Sequence, residues 1–365
     1  MRIAFLSRLN DPYAEVRINF FLSGGSEVYW IVFPIKAKQK QVTGLKIIVL
    51  RYFLLNKIPF VKRIIYGRQI RKITQKYKID IFYIVSALNS YYLHSSKAKR
   101  NFLEIEGSDV ILGPKKYPFL KYFYRYYWKF ADGFTQDSEL ARDCAMQYMP
   151  DNVLNETIEI GIDFTIFNQS VHKGIAREKY NLGTRPVIFH SRFIGTLYNL
   201  DVIIKSIPIV KNVFPEVCYM FTGNMEDLET NTKRFIAAED LWENIIFCGR
   251  LDHENEMKYY YADADLMVSI PSSDSSPLSV YEAMAMKVPV IVSELHWLKE
   301  KFIPGEHLIA ISEINETELA EAIINLLKNE SQLDLEGSFR IVYNRINMLS
   351  ENEKLKQLFI RSLNS

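Results

Sequence analysis

The run Asp274-Ser275-Ser276-Pro277-Leu278-Ser279-Val280-Tyr281-Glu282-Ala283-Met284-Ala285 carries the most legible chemistry in the chain. It stands between two apolar runs read as strands, Leu266–Ile270 and Val288–Val292, so it must hold a loop and a crossover helix. Ser276 suits the N-cap of that helix and Pro277 its first position. The backbone N–H groups of Leu278 and Ser279 would then sit at a positive helix end, a natural seat for a diphosphate. Glu282 follows within an otherwise apolar helix. A carboxylate there needs partners, and sugar hydroxyls are good ones. A surface Glu on a half-exposed helix, behind a Ser-Pro cap of no chemical meaning, fits the same residues.

Other chemistries find less support. His94, His172, His190, His253, His296 and His307 show no pairing at metal-ligand spacing. There is no Walker loop and no G-x-G-x-x-G in a strand-to-helix turn, and Gly24-Gly25 reads as a helix stop. Cys144, Cys218 and Cys248 are too few and too scattered for a disulfide framework, which points to a reducing compartment. The opening MRIAFLSRLNDP turns polar too early for a secretory segment, and no long uncharged apolar run would span a membrane.

The elements that must position these residues alternate along nearly the whole chain. Strands are expected at Ile3–Leu6, Glu27–Phe33, Asp80–Val85, Asn101–Glu106, Gly133–Gln136 and Thr157–Ile160. Six more follow at Pro186–Ser191, Val217–Thr222, Asn244–Cys248, Leu266–Ile270, Val288–Val292 and Leu308–Ile311. Most are continuous Val, Ile, Phe and Tyr runs, as in parallel strands buried on both faces. Segments such as Asp201–Asn212 and Glu316–Lys328 carry helical spacing between them. Two doubly wound α/β domains result. Their expected extents are 1–168 and 169–348, with a helix over 349–365 returning to the first. In such sheets ligands sit beyond the carboxyl ends of the strands, here in a cleft between the domains.

The 365 residues hold 45 Lys and Arg against 43 Asp and Glu, and this near-balance hides a division. Residues 1–130 carry 24 basic and 7 acidic side chains, a net +17, while the remainder carries 21 and 36, a net −15. Leu45–Lys78 mixes long apolar residues with ten cations and no acid, and Lys115–Lys129 (KKYPFLKYFYRYYWK) interleaves cations with aromatics. This composition suits docking on anionic lipid headgroups. A pair of amphipathic helices with Lys and Arg in water is the plainer account. Nucleic acid is the competitor, but no recognition motif for it accompanies the charge.

The run D-x7-E followed by AMA-x-x-VPVI resembles the signature of retaining glycosyltransferases of family 4 (glycosyl transferases group 1), which have the two-Rossmann GT-B architecture. Ile160-Gly161-Ile162-Asp163 with Phe167 is similar to that family's "G-(I/V)-D-x-x-x-F". His190-Ser191-Arg192 through Asn199-Leu200-Asp201 looks like the start of its second domain. Phe221-Thr222-Gly223 and Phe247-Cys248-Gly249-Arg250-Leu251 match its nucleotide-facing turns, and Tyr261-Ala262-Asp263-Ala264-Asp265 its approach to the next strand.

The resemblance implies roles. Glu282 would accept the ribose hydroxyls of a nucleotide-sugar, and Asp274 would meet the donor sugar or its diphosphate. The amides of Ser275, Ser276, Leu278 and Ser279, around Pro277, would cradle phosphate. Arg192 would stabilise the departing diphosphate. Gly223, Gly249, Arg250 and Leu251 would line the nucleotide, and Gly107, Ser138, Gly161 and Asp163 the cleft. There are departures: no Lys follows Arg192 in Phe193–Asn199, Lys287 stands where the family usually has Gly, and Glu106 replaces the His of "H-G-(S/T)-D". Glu106 would then bear on sugar choice, or merely cap the following turn.

The resulting expectation is a retaining, metal-independent enzyme without cofactor, moving a sugar from a nucleoside-diphosphate donor to a glycan or lipid-linked acceptor. Cell-surface polysaccharide or glycoconjugate synthesis would be its setting, in the cytoplasm at the inner face of the membrane, with no nucleic acid partner. The alternatives are a nucleotide-sugar epimerase of the same architecture, using Glu106 as acid or base, and a non-catalytic partner protein.

Overall fold

A computed structural model of the chain describes residues 1–34, 43–51 and 59–365. It divides into two compact units, Met1–Ile160 with Leu349–Ser365, and Gly161–Met348. The part of the basic run Leu45–Lys78 at 52–58 lies outside the described residues. Among the described residues no helix is long and apolar enough to cross a membrane.

The first unit is built on a seven-stranded sheet. Its strands are β1 (Arg2–Ser7), β2 (Glu27–Val32), β3 (Leu45–Val49), β4 (Ile81–Val85), β5 (Arg100–Ile105), β6 (Gly133–Gln136) and β7 (Leu154–Thr157). The order is β3-β2-β1-β4-β5-β6-β7, and all pairs are parallel. The central strands are buried on both faces, and β4 (IFYIV) is buried throughout, which is why they read as unbroken apolar runs. Strand β3 is one that sequence patterning did not separate from the helix Pro59–Lys76 behind it: the run expected to be helical opens as an edge strand. The last strand lies at Leu154–Thr157 rather than Thr157–Ile160, because this half-exposed edge strand (LNET) is thin in apolar residues. Ile158 just beyond it is buried in the core.

The helix Met348–Asn364 belongs to the first unit's core. Leu355, Leu358 and Phe359 pack there with Phe5, Phe21, Tyr83 and Phe102, and Phe359 stacks on Phe21 with ring centroids 5.5 Å apart. A fully buried Arg17 fastens this end. Its guanidinium donates to Glu159 O at 2.9 Å, Ile158 O at 3.1 Å and Asn352 Oδ1 at 3.1 Å, and lies 3.5 Å from Glu104. A buried charge is tolerated only when it is bonded in this way.

The second unit repeats the plan with six parallel strands. They are β8 (Val187–His190), β9 (Cys218–Phe221), β10 (Ile245–Phe247), β11 (Leu266–Ser269), β12 (Val290–Ser293) and β13 (Ile309–Ile311). Their order is β10-β9-β8-β11-β12-β13. The direction of winding reverses between β8 and β11, so the loops after these two strands diverge and leave a crevice at the carboxyl edge. Gly161 has φ +78°, and a Cβ there would lie 2.5 Å from the Met348 backbone, so only glycine lets Ile162 pair with Asn347 beside it.

Candidate functional site

The loop after β8 carries Arg192, and the loop after β11 carries Asp274 and leads into the helix Leu278–Ala285. The crevice brings them together. Arg192 Nη2 lies 2.7 Å from Asp274 Oδ2, and Nη1 donates to Ser279 Oγ at 3.1 Å. The guanidinium also lies over the Tyr198 ring, 4.7 Å from its centroid. The pair is largely buried, with the Arg192 side chain 19% and Asp274 11% exposed. Burial opposes the Arg192 charge, yet Asp274 and then Tyr198 carry its pKa above the ordinary arginine value.

The helix begins one residue later than its sequence suggests. Pro277 occupies the N-cap and its carbonyl accepts from Val280 N–H at 2.9 Å, while Ser276 lies outside and accepts from Leu278 N–H at 3.0 Å. The Ser275 amide donates to the Asp274 carboxylate at 2.9 Å. Two of the amides expected to face phosphate are thus engaged within the loop. Proline caps poorly by side chain, so the carbonyl of the preceding serine takes the first orphan donor.

Glu282 is buried, 4% exposed, and its carboxylate is not a surface group. Oε1 lies 2.6 Å from His253 Nε2, and Oε2 accepts from the Tyr261 hydroxyl at 2.9 Å. The hydrogen bond to Glu282 raises the His253 pKa against the effect of burial. Tyr261 also reaches Ser191 Oγ at 2.9 Å, tying the helix to the loop after β8. Sequence reasoning missed His253 and Tyr261 as partners. The signal was present: His253 lies shortly after the Gly249-Arg250-Leu251 turn, and Tyr261 begins the Tyr-Ala-Asp-Ala-Asp run. In that run Asp263 accepts from the amides of Ala176 (2.7 Å) and Arg177 (3.1 Å), and Asp265 from Val187 (2.7 Å).

The glycine turns are joined. Gly223 (φ +104°) and Gly249 (φ +73°) exchange backbone hydrogen bonds of 2.8 and 3.0 Å. Arg250 beyond them is exposed, whereas Leu251 is buried in the core. His190 is held neutral by burial, its pKa pulled down to about 4, and its Nδ1 donates to Val268 O at 2.9 Å. Among the described residues Asp163 takes no distant partner: it accepts from Thr165 N–H at 2.8 Å and shapes its own turn.

In the first unit, Glu106 follows β5 and stands at the N-cap of the helix Gly107–Ile111, but its side chain makes no capping bond. Burial, helped by the charges of Asp109 and Glu104, pushes its pKa up to about 8, so it carries a proton at neutral pH. Asp109 anchors the next loop by accepting from Ala87 N–H at 2.7 Å and Ser86 Oγ at 3.1 Å. Ser86, just after β4, has φ +74°, a strained value for serine. Ser138 caps the helix Glu139–Met146 by accepting from Ala141 N–H at 3.2 Å.

One cluster has the composition of a cation site: Glu306, His307 and Asp334 hold ligand atoms within 4.8 Å of one another. His307 Nδ1, however, accepts from Ile303 N–H at 3.0 Å, so a neutral ring keeps its proton on Nε2 and offers no lone pair. Asp334 is occupied in capping Gly337 N–H at 2.7 Å. These residues fit a surface hydrogen-bond network better than a cation.

Residues 173–340, all within the second unit, match the family model of glycosyl transferases group 1. That segment resembles a glycosyltransferase domain. Sucrose-phosphate synthase of Thermosynechococcus elongatus superposes with a TM-score of 0.80 at 16% identity, over 99% of this chain and 98% of that one. A glycosyltransferase of Rickettsia africae gives the same four values. HepE of Anabaena, solved with UDP and glucose, has a TM-score of 0.75 at 15% identity over 98% of each chain. The fold is therefore that of GT-B proteins. No curated protein sequence matches the chain.

Proposed function

We propose that the chain is a retaining, metal-independent glycosyltransferase that takes a sugar from a nucleoside-diphosphate donor and passes it to a glycan or lipid-linked acceptor. The observation that carries this reading is the Arg192–Asp274–Ser279 cluster at the reversal point of the second sheet, with the buried Glu282 three residues beyond Ser279 on the same helix. Fixed positive charge at that point stabilises a leaving diphosphate without any reorganisation during the reaction. Asp274 holds the guanidinium fork in place. Glu282, pinned by His253 and Tyr261, still has lone pairs for ribose hydroxyls. HepE, whose structure contains UDP and glucose, supports a nucleotide-sugar as donor.

The reading is tested by donor hydrolysis or transfer with purified protein, after thermal-shift screening of UDP-, GDP-, ADP- and dTDP-sugars. Arg192→Ala should lower the turnover about 10²–10³-fold, the loss typical of one preorganised charge-stabilising donor. Glu282→Ala should weaken donor affinity more than turnover. Unchanged rates in both variants would remove the site assignment. Glu106, protonated at neutral pH, gives the epimerase reading one specific support. Incubating nucleotide-sugar without acceptor decides it, since an isomerised donor is an epimerase product and a hydrolysed one is not.

A further inference from the structure

The first unit holds a basic pocket that the donor site does not use. The helix Pro59–Lys76 runs against the 3₁₀ segment Ala87–Ser95, and a pocket of about 380 Å³ opens between them. Arg68, Arg71, Tyr91, His94 and Ser95 line it, together with Gly67. A glycine inside a helix costs about 1 kcal/mol relative to alanine. Here it has a steric reason, because a Cβ on Gly67 would lie 2.6 Å from Ser95 Oγ. Arg68 and Arg71 are three residues apart and share a helix face. The Tyr91 carbonyl holds His94 Nδ1, which leaves Nε2 3.4 Å from Ser95 Oγ. No carboxylate is among the described lining residues. His94 Nδ1 donates to the Tyr91 carbonyl, so Nε2 of a neutral ring faces the Ser95 hydroxyl as an acceptor, and the two guanidinium groups form the donor set of a phosphate seat.

The pocket continues into an aromatic surface. Tyr91 and His94 lie 5.0 and 5.8 Å from the Tyr127 ring, and His94 lies 6.0 Å from Phe130. Tyr127 ends the helix Leu120–Tyr127, which turns Leu120 and Tyr124 inward. Phe119, Tyr122, Tyr126 and Phe130 recur at helical spacing on the outside, with Tyr122 77% and Phe119 63% exposed. Lys121, Arg125 and Lys129 alternate with them, all exposed. Rings of this size left in water beside cations mark an interaction surface. A concave seat for one phosphate, beside a convex aromatic stripe, matches a lipid headgroup better than the continuous groove that tracks a nucleic-acid backbone.

We propose that this face docks on an anionic membrane, with a lipid phosphate held by Arg68 and Arg71 and the Phe119–Phe130 stripe in the interfacial layer. The inference rests on the lipid-linked reading of the acceptor for its purpose, since it would bring the enzyme to that acceptor. The test is co-sedimentation of the full chain with vesicles of phosphatidylcholine alone or mixed with phosphatidylglycerol. Salt-sensitive binding to the mixed vesicles is expected. At about 1 kcal/mol per cation near an anionic surface, Arg68→Ala with Arg71→Ala should weaken it roughly tenfold or more. Phe119→Ser with Tyr122→Ser should weaken it as well, and both double variants should keep the wild-type thermal shift with nucleotide-sugar. Indifference to lipid charge, or unchanged binding by the double arginine variant, would overturn the proposal. So would saturation by free glycerol phosphate without vesicle binding, or tighter binding to a single-stranded RNA oligomer. A wild-type chain that binds vesicles but shows no nucleotide-sugar shift would sink the donor reading and leave this one standing.

Discussion

At the scale of single residues, the site is held by pairs whose charges depend on each other. His253 and Glu282 form such a pair, with the His253 side chain still 60% exposed at its outer side. Because Glu282 raises the His253 pKa, the folded state keeps this proton to a higher pH than the unfolded chain does. The pair therefore contributes its full stability below the ordinary histidine pKa of 6.5 and loses it as pH rises through the raised value. The thermal midpoint should fall across that window, and His253→Gln should flatten the fall; an unchanged profile in the variant would refute the coupling. Arg192 and Asp274 behave differently. Removing either leaves the other charge largely buried, so Asp274→Ala should lose stability as well as activity. Much of this was legible beforehand: Arg192, Asp274 and Glu282 stood out by residue type and by their places after strands. Their bonding to one another and to His253 was not, because partners far apart in sequence are brought close only by the order of strands in a sheet.

At the scale of elements, the helix Leu278–Ala285 shows what local pattern does and does not give. Its place between β11 and β12 was readable from the apolar runs around it, whereas its first turn was misplaced by one residue. The Ser-Pro pair suits a serine cap by preference alone, but the backbone puts Pro277 at the cap instead. The other end is more informative. Lys287 has φ +56°, the left-handed conformation that usually belongs to glycine after a helix. Its ammonium reaches Glu336 at 2.5 Å and lies 5.5 Å from the Phe339 ring centroid. A surface ion pair contributes between zero and about 1 kcal/mol, and the left-handed backbone costs roughly 1–2 kcal/mol. Relief of strain outweighs the lost contacts even after the extra chain entropy of glycine. Lys287→Gly should raise stability by up to about 1 kcal/mol, read as a higher denaturant midpoint with an unchanged slope. A lower midpoint would mean that the Glu336 and Phe339 contacts matter more than the backbone. Strand β3 escaped notice for a related reason: Leu45–Val49 has no fully buried residue and carries Lys46, so its composition merges into the cationic helix that follows.

At the scale of the whole molecule, the two units differ in how their cores are closed. The second unit is one continuous segment, Gly161–Met348, while the first needs Leu349–Ser365 in addition to Met1–Ile160. The returning helix was expected from the sequence, yet what it does there was not visible. It supplies Leu355, Leu358 and Phe359 to a core of large aromatic rings, and Asn352 to the buried Arg17. Glu351 adds an acceptor for the Glu159 amide at 2.9 Å. A fragment ending at Ile160 would thus expose Phe21, Tyr83 and Phe102 and leave Arg17 without one of its acceptors. Phe359→Ala in the full chain should cost about 3–5 kcal/mol, the range for a buried phenylalanine whose site cannot collapse. That is a large share of a domain's usual stability of about 5–15 kcal/mol. The residues 1–160 alone should then show non-cooperative unfolding and bind a hydrophobic dye, and a peptide of residues 349–365 added in trans should restore a cooperative transition. If the fragment unfolds cooperatively without the peptide, its core is complete without Phe359. The strand order of the first sheet would then be sufficient to fold it.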